Sequence, residues 1–204
     1  CVEFEHVGGE AEKEWLYREY EHAMSEEMAT TKEEKIKALQ LLIRASEVEQ
    51  FIQKKYATHK RYSGEGSESL IVALNTLIAE ASTASSELQD EGITGAVLGM
   101  PHRGRMGIMV VLNDFPMRNL LYKIAGNNEI SHDIEGRIDD IPTHIAISNT
   151  KKFSTATNSA KSERKRVTVS MIHNPSHLES QNAISMGKTR AKLNDMSSSS
   201  DTRK

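Results

Sequence analysis

The sequence predicts an α/β fold in which a helical N-terminal region is followed by part of a parallel sheet. Residues 1–60 are rich in charge and carry apolar side chains at near-helical spacing, a pattern typical of packing helices. Farther along, the apolar runs at 93–98 and 167–171 have the length of buried strands, and polar turns follow both. We therefore expect a helical region at 1–60, an α/β domain at 61–195 and a serine-rich, disordered tail at 196–204.

Composition and charge exclude several classes of protein. The 204-residue chain has a formal net charge of −3, whereas a protein that coats nucleic acid is normally strongly basic. No apolar run reaches the length of a membrane span, and no basic-then-apolar leader precedes the first helix. Cys1 is the only cysteine, which rules out an internal disulfide. Because the chain starts with Cys1 rather than methionine, we expect a fragment or a processed product.

The N-terminal region is expected to form three helices. The first covers 10–22, where one apolar stripe runs among charged residues. Thr31 and Glu34 form a capping box, the pairing in which each side chain bonds the other residue's backbone N–H at a helix start. Ser46 and Glu49 repeat this spacing and predict the start of a third helix.

A glycine-containing turn separates this region from the next helix. Residues 60–69 interrupt the helical pattern, which resumes over 69–81. The Gly64-Glu65-Gly66 stretch is either a turn that leads into this helix or a place where Glu65 is a buried acid near a cofactor. Spacing alone leaves both interpretations open.

Three further elements are expected between the two apolar runs. Pro116 and Gly126 bracket a short amphipathic helix, because proline favours a helix start and glycine a helix end. A short strand is predicted at 144–148, followed at 149–165 by an exposed excursion rich in serine, threonine and lysine.

The turn at residues 99–105, with the sequence GMPHRGR, is the centre of the predicted site. It follows the apolar run 93–98, and its glycines allow backbone to approach a ligand closely. Side chains and backbone N–H groups converge at the carboxyl end of a strand in an α/β sheet. Because this turn carries an imidazole and two guanidiniums, it predicts an anionic ligand.

Polar clusters adjoin three of the predicted strands. If those strands lie side by side in a parallel sheet, the clusters meet at one edge and build a cleft for an anion. Histidines there could donate hydrogen bonds or move protons near neutral pH. Each histidine taken singly could equally be a surface or capping residue. The clusters are His102 with Arg103, His144 with Ser148, and Ser176 with His177.

Three other interpretations of these clusters are disfavoured. His173 and His177 have the spacing of a zinc pair on a helix, but Pro175 breaks such a helix and cysteine ligands are absent, so we predict no metal site. Ser176 lacks the Gly-x-Ser-x-Gly elbow of a hydrolase nucleophile. The basic turn at 102–105 lacks the interleaved aromatic residues of a nucleic-acid site.

Four motifs stand in order along the chain: RYSGEGSES at 61–69, GMPHRGR at 99–105, NPSHLE at 174–179 and MGKTR at 186–190. Together they resemble the thiamine diphosphate-dependent, decarboxylating first component of 2-oxoglutarate dehydrogenase. The resemblance covers nearly the whole chain, and details at 61–62 and 187–190 favour the branch that acts on 2-oxoadipate.

The resemblance implies an α/β thiamine diphosphate-binding domain and a specific reaction. The cofactor attacks the keto carbon of a 2-oxo dicarboxylic acid, carbon dioxide leaves, and the acyl group passes to a lipoyl carrier. By motif, Arg103, Ser176 and Leu178 correspond to positions that contact thiamine diphosphate. His102, His144 and Ser148 correspond to positions that bind the substrate, and the two histidines to catalytic ones.

The sequence also departs from the family pattern. Met106-Gly107 stands where the family usually has Leu-Asn, and 139–141 reads Asp-Asp-Ile instead of Gly-Asp-Val, which makes the equivalence of His144 less direct. The family's magnesium and diphosphate motif lies beyond this chain. We therefore expect the 204-residue chain to be inactive by itself.

The resemblance further implies a homodimer in the mitochondrial matrix that docks on the dihydrolipoyl acyltransferase core of the complex. Two alternatives remain at this point. The chain could be a truncated, non-catalytic paralogue that acts as a binding or interaction module, or an anion-binding regulatory domain unrelated to thiamine. We expect neither a nucleic-acid partner nor a membrane partner.

Overall fold

The structure contains both α-helices and β-strands, which confirms the α/β class with a helical N-terminal part. A computed structural model gives the structure and describes residues 3–25, 30–58, 63–83, 92–127, 141–153, 166–174 and 177–201. The chain forms two units, Cys1–Lys37 and Ala38–Lys204. Over the described ranges the elements are α1 (Glu10–Ala23), α2 (Lys32–Lys55), α3 (Ser69–Thr83), β1 (Gly95–Leu98), α4 (Arg105–Val111), α5 (Met117–Ile124), a 3-10 turn (Pro142–His144), β2 (Ile147–Lys152), β3 (Arg166–Met171) and α6 (Leu178–Asp201).

In the first unit, α1 contributes an exposed aromatic contact and no fully buried side chain. The ring of Phe4 packs edge-on against Tyr17, with centroids 5.0 Å apart, and against Tyr20 at 6.0 Å. The Tyr17 hydroxyl donates a hydrogen bond to Glu5 at 2.9 Å. These contacts hold the residues that precede α1 against the surface of that helix.

The capping box predicted at Thr31 and Glu34 is confirmed. The Thr31 backbone N–H donates to Glu34 Oε2 at 2.7 Å, and the Glu34 N–H donates to Thr31 Oγ1 at 3.2 Å. Both groups belong to the first turn of α2, where backbone donors have no partner within the helix.

The second predicted box is wrong, because α2 continues unbroken through Ser46 and Glu49 to Lys55. The Ser46 hydroxyl accepts a hydrogen bond from Gln50 Nε2 at 2.8 Å. Glu49 instead accepts one from the backbone N–H of Gly64 at 2.9 Å. Inside a continuous helix the backbone donors are already bonded, so a capping sequence has no orphan N–H to satisfy.

The three described strands form a mixed sheet in the order β1-β3-β2. β1 and β3 pair in parallel, as predicted. β2 pairs antiparallel with β3, so the prediction of an all-parallel arrangement is wrong for this strand. Strands that are consecutive in the chain can pair antiparallel without the crossover helix that a parallel pair requires.

The boundaries of β2 also differ from the prediction. The strand covers Ile147–Lys152, and His144 belongs to the 3-10 turn before it. The first part of the predicted excursion at 149–165 is therefore strand. Across the pair, the Thr150 and Thr168 hydroxyls lie 2.7 Å apart, a cross-strand contact that supports the register.

The core of the second unit surrounds α4, all seven residues of which are buried. Val167, Val169 and Met171 of β3 are fully buried beside it. α5 lies between Pro116 and Gly126, as predicted. The apolar sequence of α4 thus forms a central helix whose first residue, Arg105, is carried into the core.

α6 extends to Asp201, past Met196, where the sequence predicts a disordered tail. The Ser197 and Ser198 hydroxyls donate to the backbone carbonyl of Asn194 at 2.8 and 2.9 Å. Serine hydroxyls that bond back to a preceding turn are compatible with a helix, so a serine-rich composition does not by itself end one.

Replacing Thr31 with alanine should lower the free energy of unfolding by about 1 kcal/mol, because the lost hydroxyl both accepts the Glu34 N–H and donates to Glu34 Oε2 at the start of α2. Ser46→Ala is the matched control, since its hydroxyl caps nothing, and it should change stability by less than about 0.5 kcal/mol. Urea unfolding followed by far-UV circular dichroism measures both. Equal losses would show that the Thr31 box contributes no stability.

Candidate functional site

The ends of the three strands meet at one edge of the sheet. Leu98, the last residue of β1, and Ile147, the first of β2, are both paired with Met171, the last of β3. Because β2 runs antiparallel, the residues that precede it, rather than those that follow it, reach this edge. We call the three segments found there, residues 99–105, 144–146 and 172–174, the sheet-edge site.

Arg105 links these three segments. Its Nη1 donates to the carbonyl of Met100 at 2.9 Å, and its Nη2 donates to that of Ile145 at 2.7 Å. The same Nη2 also donates to the carbonyl of Ile172. Arg105 is 0% exposed, so the guanidinium is enclosed by the backbone that it binds.

Burial lowers the pKa of Arg105 to about 10, because desolvation disfavours the charged form. The group is still protonated at neutral pH and carries a full positive charge. Among the described residues, its hydrogen-bond partners are backbone carbonyls. The sheet-edge site is therefore built around a buried cation balanced by carbonyl dipoles.

Three histidines adjoin the carbonyls that Arg105 binds. His102 lies two residues after Met100, His144 one residue before Ile145, and His173 one residue after Ile172. His102 and His144 are half-buried and His173 is exposed. The Nδ1 of His173 lies 3.1 Å from the carbonyl oxygen of His144, which ties the segment after β3 to the one before β2.

Gln181, which is buried, holds the first turns of α6 against the turn at 99–105. Its Nε2 donates to the carbonyl of Met100 at 2.8 Å and to Asn174 Oδ1 at 3.2 Å. At Gly99, a Cβ would lie 2.3 Å from Ser185 Oγ and 2.9 Å from Gln181 Oε1. A side chain at position 99 would therefore require the Ser185 and Gln181 side chains of α6 to move.

A second contact holds the turn after α2 against the start of α4. Glu49 accepts hydrogen bonds from the Gly64 N–H at 2.9 Å and from the Ser63 hydroxyl. Gly104 has a φ of +69°, and a Cβ there would lie 3.3 Å from the Cα of Gly64. The two glycines thus allow two backbone segments to touch.

A cleft of about 660 Å³ lies beside this contact. Its wall includes Glu49, Gly64, Arg103 and Ile108. Arg103 is exposed and lines the cleft, whereas Arg105, two residues later, is buried. Glu65 also lines the cleft and is exposed, which shows that it is not the buried acid considered from the sequence.

The predicted site residues are distributed as follows. His102 and His144 belong to the sheet-edge site, and Arg103 borders both that site and the cleft. Ser148 lies in β2 with its Oγ 2.7 Å from that of Ser170. Leu178, the first residue of α6, is 68% exposed. Ser176 lies outside the described residues.

Sequence reasoning did not identify the roles of Arg105, Gln181 and Glu49. For Arg105 a signal was present, because it directly precedes the apolar run of α4 and is drawn into the core with it. Gln181 follows no apolar stripe, and Glu49 carries a capping pattern that its helix does not use. Hydrophobic periodicity therefore could not find these two residues.

Neither a metal cluster nor a membrane span is found in the described ranges. No group of three or more His, Cys, Asp or Glu side chains there could hold a metal ion. None of the helices in those ranges is both long and apolar enough to cross a bilayer.

Comparison with known proteins finds relatives over most of the chain. It is 38% identical, over 94% of its length, to the probable 2-oxoadipate dehydrogenase complex component E1 homolog of Dictyostelium discoideum. It is 35% identical to the 2-oxoglutarate dehydrogenase E1 component of Brucella ovis and 32% identical to the probable 2-oxoadipate dehydrogenase complex component E1 homolog of Caenorhabditis elegans. The chain spans 17 to 19% of the length of these relatives. No protein-family model matches it.

Gly104→Ala should destabilise the protein more than Gly126→Ala. Both glycines have positive φ, so each substitution carries a backbone penalty of about 1 kcal/mol. A Cβ at Gly126 meets nothing within 4 Å, whereas at Gly104 it presses on the Gly64 backbone. We expect an additional loss of about 1 to 3 kcal/mol at Gly104, measured by urea unfolding. Equal losses would argue against a tight contact between these two segments.

Proposed function

This chain is related in sequence to a segment of the E1 components of the 2-oxoglutarate and 2-oxoadipate dehydrogenase complexes, and on that premise we propose that it forms part of a thiamine diphosphate-dependent 2-oxo acid decarboxylating site. The observation that carries the proposal is the meeting of the His102, His144 and His173 segments around one buried cation. An electropositive edge with imidazoles beside it suits a dianionic substrate.

Arg103 is proposed to hold an anionic group of the cofactor. Its guanidinium is exposed on the wall of the cleft and so is free of the desolvation that burial imposes on Arg105. A guanidinium presents two parallel N–H donors to a phosphate or carboxylate and remains charged at any physiological pH. Leu178, exposed at the start of α6, and Ser176 are proposed to line the same cofactor.

His102 and His144 are proposed to act on the substrate. Each is half-buried and adjoins a carbonyl that is fixed by Arg105, which restricts where its ring can lie. A neutral imidazole can donate a hydrogen bond to a substrate carboxylate, and near neutral pH it can take up or release a proton. Ser148, whose hydroxyl lies beside that of Ser170, is proposed as a further substrate contact.

The donor set fits part of the cofactor. Thiamine diphosphate, when bound, supplies the nucleophilic carbon and the electron-accepting ring for decarboxylation. Arg103 offers a counter-charge for a phosphate, but the described residues hold no acidic cluster for Mg²⁺. On the family resemblance, the magnesium ligands are proposed to lie beyond this chain, and the 204-residue chain by itself is proposed to be inactive.

The remaining assignments concern the whole enzyme. We propose that the acyl group passes to a lipoyl carrier on the dihydrolipoyl acyltransferase core, that the enzyme is a homodimer, and that it works in the mitochondrial matrix. The substrate is proposed to be 2-oxoglutarate or 2-oxoadipate, in line with the names of the relatives.

Arg103→Ala should weaken the binding of thiamine diphosphate in the presence of Mg²⁺ by about 10- to 100-fold, the value of a charge-assisted hydrogen bond to phosphate. Isothermal titration of the full-length native protein measures this. Arg118→Ala is the matched control, since Arg118 is also exposed but lies on α5 and does not line the cleft. This variant should bind thiamine diphosphate with the affinity of the wild type.

Two outcomes would contradict the proposal at different levels. Absence of binding and of 2-oxo acid turnover by the wild-type protein would reject the enzymatic function and favour a non-catalytic binding module. Wild-type binding with unchanged affinity in the Arg103 variant would reject only the role of this residue.

A further inference from the structure

We propose that Arg105 is a positioning residue, whose buried guanidinium sets the relative placement of the three histidine-bearing segments at the sheet edge. The placement itself is a property of this chain. Only its effect on ligand binding and turnover rests on the proposed function.

The contacts of Arg105 connect parts of the chain that are far apart in sequence. Its carbonyl partners are separated from it by 5, 40 and 67 residues. They belong to the turn after β1, the segment before β2 and the residue after β3. A single rigid group therefore fixes three segments that no continuous element of secondary structure joins.

The planar shape of the guanidinium is essential to this arrangement. Arginine has five N–H donors in a fixed plane, whereas lysine has a compact ammonium on a flexible stem. To bind three backbone carbonyls within the core, the side chain has to hold its donors in a fixed plane, as arginine does. Lysine at this position would retain the charge but could not reproduce the geometry.

Arg105 has little freedom to move. It is the first residue of α4, all of which is buried, and its own backbone N–H donates to the carbonyl of His102 at 3.3 Å. Gln181 supplies a second donor to the Met100 carbonyl from α6. The guanidinium, the helix and the turn that carries His102 and Arg103 are thus held together from two sides.

Desolvation of a cation is unfavourable, and burial lowers the pKa of Arg105 for this reason. Among the residues that the structure describes, Arg105 forms no ion pair with a carboxylate, and its guanidinium is bound by backbone carbonyls. Replacing a buried ionic group by an apolar residue of similar volume is often neutral or stabilising, so a contribution to stability alone does not explain a cation at this position. Retention of the cation is understandable if it orders the site.

The test compares Arg105→Lys with Lys151→Met in the full-length native protein. Lys151 is the control, because it is a partly buried cation that also donates to a backbone carbonyl, that of Leu112 at 2.7 Å, although it pairs with Asp114 at 3.3 Å as well. It lies toward the opposite end of β2, paired with Val167. Hydrogen–deuterium exchange, thiamine diphosphate affinity and the pH profile of 2-oxo acid turnover are measured for both.

For Arg105→Lys we expect faster exchange in 99–103, 144–146 and 172–174 together, and at least a tenfold fall in turnover at saturating thiamine diphosphate, with a shifted pH profile. Lys151→Met should leave these three segments and the pH profile unchanged. Unchanged exchange in Arg105→Lys, or the same pattern in Lys151→Met, would overturn the proposal. If the wild type shows no turnover, the proposed function fails while the exchange data still decide the positioning role.

A second variant covers the case in which Arg105→Lys does not fold. Arg105→Ala leaves space for a small ion, and millimolar guanidinium should restore the wild-type exchange pattern where methylammonium does not. Such selective rescue supports the need for the planar group. Equal rescue by both ions, or rescue by neither, would overturn it.

Discussion

The guanidinium of Arg105 and the three backbone carbonyls around it form the interaction on which the second unit depends. Burying a cation is unfavourable, and over the described ranges Arg105 has no acidic partner, so several carbonyl dipoles replace the water it has lost. Those carbonyls lie at the ends of β1 and β3 and before β2. The ends of the three strands must therefore meet at one edge of the sheet before Arg105, the first residue of α4, can be buried with its partners.

The mixed sheet explains how this alignment is reached. β1 and β3 run in parallel and end together at Leu98 and Met171, whereas β2 begins opposite that point. A strand that starts at the edge contributes the residues before it, which is why His144 rather than Ser148 belongs to the sheet-edge site. A shift of one residue in this register would turn each side chain of β2 to the other face.

A second layer of contacts supports the turn at 99–105. Gly99 lets α6 approach closely, and Gly104 lets the turn after α2 do the same. Gln181 binds the Met100 carbonyl across the first junction, and Glu49 of α2 binds the Gly64 N–H and so holds the turn that meets Gly104 at the second. A turn that carries one exposed and one buried arginine two residues apart is thereby enclosed on both sides, and only Arg103 remains available to a ligand in the cleft.

The sequence by itself determined the features that rest on local interactions. The α/β class, the capping box at Thr31 and the helix between Pro116 and Gly126 follow from periodicity and from signals within a few residues of each helix end. The motifs also indicated the family to whose members the chain is related.

Tertiary structure alone decided which of two identical signals is used. Thr31 caps a helix and Ser46 does not, although both precede a glutamate by three residues, because only the former lies at a helix end. Likewise Arg103 is exposed and Arg105 buried. The bonds of Arg105 and Gln181 to the sheet edge join residues 40, 67 and 81 positions apart, and no local pattern encodes such partners.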